Sequence, residues 1–111
     1  MTASPKRYEI FLARLDPVEG SEIGKTRPCV VLSDDHRNAA LKTVVICPLT
    51  TQLRDEWRCR LRILCAGREA DICIDQIRTV NKSRFVKRID RLKPSTAQLL
   101  RELIVEMYGT A

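Results

Sequence analysis

The sequence contains no Cys-x-x-Cys pair and only one histidine, His36, so no Cys/His set has the spacing of a zinc site. A protein with no metal and no cofactor is expected. No apolar run approaches the length of a membrane span, and the opening residues MTASPKRYEI lack the apolar core of a signal peptide. These two absences predict a cytoplasmic protein with no membrane partner. Internal repeats and low-complexity segments are also missing, which excludes a repeat array. The five cysteines, Cys29, Cys47, Cys59, Cys65 and Cys73, are odd in number, and most sit among Val, Ile and Leu. They are expected as buried thiols in a reducing compartment, not as a disulfide framework.

What is present suffices for one domain over residues 1–111. Hydrophobic residues make up 44% of the 111, enough for a small core. Lys and Arg number 20 against 14 Asp and Glu, a net charge of +6 that favours phosphate-bearing or acidic partners and equally suits an ordinary surface. YEIFLARL, residues 8–15, reads as a first strand closed by the turn-initiating pair Asp16-Pro17. A loop through Gly20 and Gly24 leads to a second strand, with Pro28 at its beginning and CVVL as its buried part. The polar stretch DDHRNAALK breaks the pattern, and TVVIC follows as a third strand that Pro48 ends. From Trp57 to Cys65, Trp57, Cys59, Leu61, Ile63 and Cys65 fall on one face of a predicted strand and Arg58, Arg60 and Arg62 on the other. Residues 66–69 read as a turn, ADICIDQIRTV as one or two strands, and FVKRIDRL as an edge strand. The end differs in kind: Leu99, Leu100, Leu103, Ile104, Met107 and Tyr108 recur at helical spacing, with Gly109 as a stop. Pro94 as first helical residue, or Ser95 in a capping box with Gln98, begins that helix. The fold class is mainly β, a β-rich α+β arrangement in which a small, strongly bent barrel packs beside one amphipathic C-terminal helix.

Several polar groups stand where strands begin or end. Arg27 follows the glycine-bearing loop, and its guanidinium fork matches phosphate oxygens in pairs; pairing with Glu19 or Glu22 is the structural alternative. Thr50, Thr51 and Gln52 present hydroxyls and an amide after the third strand, either to a ligand or to the local backbone of an ordinary turn. Asp75, Gln76 and Arg78 leave an apolar strand and suit base edges or solvent equally. For the row Arg58, Arg60 and Arg62, simple solvation is favoured over tracking a phosphate backbone. His36, beside two aspartates in a predicted loop, is read as a surface histidine.

Taken together, DPVEGSEIGKTRPCVVLS, CPLTTQ and DQIRTV, in that order, resemble the MazF/PemK-type endoribonuclease toxins of bacterial toxin–antitoxin systems. The similarity runs from about Tyr8 to the terminal helix. It implies an SH3-like barrel used as a homodimer, and metal-independent cleavage of single-stranded RNA at short sequences. By this resemblance Arg27 and Thr50 are the catalytic positions, with Glu22 of G-S-E where the family often has an important glutamate. Gln52, Gln76 and Arg78 match positions near the RNA groove, and Ser21, Lys25 and Thr51 are taken as further RNA-binding residues. Tyr8-Glu9 and Arg14 depart from the family pattern of Gly-Asp and a later acidic residue, which bears on dimer contact and RNA choice.

The implied chemistry is attack of a ribose 2′-OH on the adjacent phosphorus, leaving a 2′,3′-cyclic phosphate and a 5′-OH end. Arg27 supplies two donors to the developing charge and Thr50 one. For the proton on the 2′-OH, Arg27 as shuttle, Glu22 and water are the alternatives. The resemblance also implies an acidic antitoxin, initially disordered, that folds across the RNA groove. Two rivals use the same barrel: a non-catalytic CcdB-like gyrase poison, whose terminal-helix tip IVEMYGTA does not resemble, and a basic SH3-like module that binds RNA without cutting it.

Overall fold

Alternating apolar residues in several short runs give seven strands, and the computed structural model describes them within residues 4–109. In chain order these are β1 (Glu9–Arg14), β2 (Thr26–Val31), α1 (Asp35–Ala40), β3 (Thr43–Thr50), β4 (Arg60–Cys65), β5 (Arg68–Cys73), β6 (Arg78–Asn81), β7 (Phe85–Arg91) and α2 (Pro94–Tyr108). Single 3-10 turns, Ile74–Gln76 and Lys82–Arg84, flank β6. The strand order is β4-β5-β3-β2-β1-β7, with β6 paired to β3, and every pairing is antiparallel.

This sheet curls into a half-barrel. Its two ends are tied by a side chain: the Ala66 N–H at the β4–β5 turn donates to the Asp90 carboxylate of β7 at 2.7 Å. On one side α2 lays Ala97 and Leu100 against Ile10, Val30, Cys47, Leu49 and Ile72. The other side gathers Ala13, Leu15, Cys29, Val31, Val44, Ile46 and Val80. Because side chains alternate along a strand, Cys47 and Leu49 face the helix-side core, whereas Val44, Ile46 and Thr50 share the opposite face. Among the described residues no helix is long and apolar enough to cross a membrane.

Several expectations change. Pro48 does not end the third strand, which runs on to Thr50. On that edge β6 pairs with β3 as far as Ile46 and β5 begins at Leu49, so Pro48 lies in the gap between partners and its missing N–H leaves no ladder bond unmade. The polar DDHRN stretch is not a loop but the short helix α1, whose first turn is capped by the Asp34 carboxylate accepting the Arg37 N–H at 2.8 Å. His36 is exposed on it, as expected. Trp57 and Cys59 do not belong to a strand; β4 starts at Arg60, and Trp57 sits in the preceding turn, 47% exposed. At α2, Pro94 is the first helical residue and no side-chain capping bond forms, so the alternative with Ser95 and Gln98 is set aside.

All five cysteines are free, and Cys29, Cys47, Cys65 and Cys73 are buried. Burial pushes the Cys29 thiol up to about 12, against a smaller opposing pull from the Arg78 charge. It does the same to Cys73, also to about 12, and raises Cys47 further. Since the thiolate is the nucleophile, these groups are inert in the folded chain. In a thiol titration of native protein at pH 8 with an aromatic disulfide reagent, only Cys59 is expected to react quickly, and the rest only after denaturation. Rapid reaction of two or more thiols would contradict this burial.

Candidate functional site

A cleft of about 340 Å³ opens where the loop before β2 meets the end of β3. Thr50 and Gln52 form one wall, and Ser21 and Ile23 of the loop another. Asp75 and Gln76 enter from the 3-10 turn after β5, while Arg54, Trp57 and Arg60 close the remaining side.

Local chemistry explains how these groups are held. The Thr50 hydroxyl accepts the Gln52 N–H at 3.1 Å, so the ordinary-turn role is real, yet its own proton is still free to donate to a ligand. The Gln76 side-chain oxygen accepts the Ile23 N–H at 2.8 Å, which fastens the loop to the 3-10 turn and leaves the amide NH2 available. The loop also closes on itself, with the Asp16 carboxylate accepting the Lys25 N–H at 2.8 Å. A Cβ at Gly24 would crowd the Asp16 carboxylate and lie 2.8 Å from a Val18 methyl, so a larger residue there would have to displace those side chains.

The other sequence-predicted positions, Arg27, Glu22, Lys25, Thr51 and Arg78, do not line this cleft. Arg27 is half-buried, its Nε donating to the Gly24 carbonyl at 3.3 Å. Among the described residues neither Glu19 nor Glu22 ion-pairs with it; the Glu22 carboxylate accepts the Glu19 N–H instead, at 2.8 Å. The β2–β3 ladder ends at the pair Cys29–Pro48, two residues from Arg27 and from Thr50; beyond it Arg27 pairs with Ala13 of β1 and Thr50 with Asp71 of β5. Arg78 pairs with Ile46 and reaches the Leu15 carbonyl at 3.4 Å. Thr51 is exposed and does not line the cleft. Lys25 lines a separate depression of about 610 Å³ with Arg14 and Arg84.

Sequence reasoning missed Asp71, and with it the role of the arginine row. Asp71 stands opposite Thr50 on β3 and opposite Arg62 on β4, and is 1% exposed. Its carboxylate accepts Arg62 Nε at 2.9 Å and the Arg54 N–H at 2.9 Å, with Arg60 Nη1 at 3.8 Å. Arg62 also meets Asp55 at 2.6 Å. The expectation of simple solvation for this row is therefore corrected: Arg60 and Arg62 converge on a buried carboxylate, although Arg62 keeps part of its side chain in solvent, while Arg58 lies outside the strand and is exposed. Alternation along β4 did reveal the shared face, but only the β4–β5 register brings Asp71 onto it. Desolvation alone drives the Asp71 carboxyl up, but the Arg62 hydrogen bond, the Arg54 N–H and the two guanidinium charges outweigh it and hold the group below the usual carboxylate range.

Comparison with known proteins agrees with this architecture. The family model described as "PemK-like, MazF-like toxin of type II toxin-antitoxin system" matches residues 6–108. Endoribonuclease EndoA of Bacillus subtilis (strain 168) is 33% identical over 92 residues, covering 78% of this chain and 79% of that protein. Among solved structures, MazF from Deinococcus radiodurans aligns with a TM-score of 0.87 at 19% identity, over 98% of this chain and 100% of that one. An endoribonuclease from a mycobacterial species in complex with its cognate antitoxin gives 0.78 at 18% identity, over 100% and 98%. Sequence match and fold together establish that this chain belongs to the PemK-like, MazF-like toxin family of type II toxin–antitoxin systems.

Proposed function

We propose that this toxin is a sequence-specific endoribonuclease that cuts single-stranded RNA without a metal, in the cytoplasm, and that a cognate antitoxin restrains it. The observation that supports the proposal best is that Ser21, Thr50, Gln52 and Gln76, distant in the chain, line one cleft, while the last β2–β3 pair, Cys29 with Pro48, lies two residues from both Arg27 and Thr50. Cleavage begins when a 2′-OH attacks the adjacent phosphorus. The P–O bond to the 5′-oxygen breaks, and a 2′,3′-cyclic phosphate and a 5′-OH remain. Negative charge grows on the phosphorane oxygens, and fixed donors aimed at that charge supply the main stabilisation. Arg27 offers a charged, two-pronged donor and the Thr50 hydroxyl a third, while Ser21, Gln52 and Gln76 are placed around the same cleft to hold the flanking nucleotides. Lys25 and Arg78 add positive charge on either side, and Glu22 sits on the loop that leads into β2.

A homodimer and an acidic antitoxin segment complete the proposal. The mycobacterial relative is seen with its antitoxin, and the net charge of +6 favours an acidic partner that competes with RNA.

Incubation of the purified protein with a long single-stranded transcript in EDTA tests the function. Discrete fragments with 5′-OH and 2′,3′-cyclic phosphate ends are expected. RNA that stays intact in EDTA overturns the reading, whether gyrase inhibition or simple salt-sensitive RNA binding replaces it.

A further inference from the structure

Trp57 is a large aromatic left 47% exposed at the rim of the cleft that Thr50 lines. Two guanidinium groups lie over its ring, Arg60 at 4.7 Å and Arg54 at 5.5 Å from the centroid. They differ in freedom. The Arg60 side chain is 9% exposed and is fixed by Asp71 and by the Gln52 carbonyl at 3.3 Å, so it anchors the indole to the sheet. Arg54 is exposed, and only its backbone is pinned, through the N–H given to Asp71. The Arg60 Nε is buried with no hydrogen-bond partner among the described residues, an unmet donor in the wall of the cleft.

We infer that Trp57 is a base-stacking platform that fixes one nucleotide of single-stranded RNA next to the scissile phosphate, with Arg54 free to turn from the ring to a backbone phosphate. The inference rests on the ribonuclease reading above and adds to it the residue that seats a base. An aromatic face suits a nucleobase because every base has a π-surface, and arginine beside the ring adds cation–π attraction and phosphate pairing. The ring keeps nearly half its surface in solvent at the cleft that Thr50 lines.

Trp57 is the only tryptophan, so its fluorescence reports on the site directly. A 2′-O-methyl oligonucleotide, which cannot be cleaved, is titrated into wild-type protein while fluorescence and the anisotropy of an end label are both recorded. Quenching that saturates together with the anisotropy is expected, and inorganic polyphosphate is expected to quench little. Trp57→Ala should weaken oligonucleotide binding by roughly 5- to 150-fold, with Trp57→Phe recovering most of it, and the cost in cleavage should fall on KM more than on kcat. Anisotropy binding without quenching, or a Trp57→Ala chain that binds and cuts like wild type, overturns the platform and leaves the ribonuclease reading standing. Equal quenching by polyphosphate, or quenching by poly-glutamate but not by the oligonucleotide, also overturns it, assigning the ring to charge alone or to a protein partner. A wild-type protein that cuts no RNA removes both.

Discussion

Arg27→Ala is expected to slow RNA cleavage by about 100- to 1000-fold, the usual loss when one preorganised donor to developing charge is removed. The fold should survive. The side chain makes one hydrogen bond among the described residues, Nε to the Gly24 carbonyl at 3.3 Å, and the β1–β2 ladder that pairs Arg27 with Ala13 uses only backbone. The lost side chain therefore affects the reacting phosphate far more than the core. Arg27→Lys keeps the charge but not the planar fork, so an intermediate rate is expected. Thr50→Ala removes a neutral donor and should cost less than Arg27→Ala, although it also frees the Gln52 N–H that the hydroxyl accepts. Single-turnover cleavage of a defined transcript, with thermal melts of each variant, separates the effects. Undiminished cleavage by a folded Arg27→Ala chain removes this residue from the mechanism.

The elements that could be read from sequence are those whose signal is local. β1, β2, β7 and α2 follow from runs of apolar residues with period 2 or 3.6, and Pro94 marks the start of α2 through its fixed φ. Pro48 misled for a tertiary reason: a proline ends a strand only if its nitrogen is asked for a ladder bond, and here β3 changes partner at that point. Trp57 misled in another way, since its two-residue spacing from Cys59 and Leu61 matches a strand, but the chain is still in a turn there. At the site, Ser21, Thr50, Gln52 and Gln76 could be named from motif resemblance and do line one cleft, whereas Arg27, Glu22, Lys25, Thr51 and Arg78 do not. Asp71 carried no signal at all. An aspartate between Ala70 and Ile72 is simply one polar residue in an apolar run until the strands on either side place Thr50 and Arg62 beside it.

Asp71→Ala should lower stability by about 3 to 5 kcal/mol, the cost typical of breaking a buried ion pair from one side. The loss comes less from the carboxylate than from what remains without it. Arg60, 9% exposed, is left with a buried charge and its Nε still unpartnered, whereas Arg62 keeps Asp55 and a third of its side chain in water. The Arg54 N–H loses its acceptor as well, so the turn that carries Gln52, Arg54 and Trp57 loosens and RNA binding is expected to weaken with it. A drop in Tm of roughly 10 to 20 °C follows from that free energy in a chain of this size. Asp71→Asn can still accept the Arg54 N–H and should lose less. The acid limb of the stability curve gives a second measure. Because the Asp71 carboxyl is held below the usual range when folded, it binds fewer protons in the native than in the unfolded chain. Its contribution is then complete above the unfolded value of about 4 and disappears as pH falls through the lower native one. Asp34 and Asp90, also held low by hydrogen bonds from Arg37 and Ala66 respectively, share this sign, so the Asp71→Ala chain should lose part of its acid dependence and keep the rest. A variant that melts within a degree or two of wild type at pH 7 means that the carboxylate, despite its three arginine neighbours, does not hold the Thr50 turn in place.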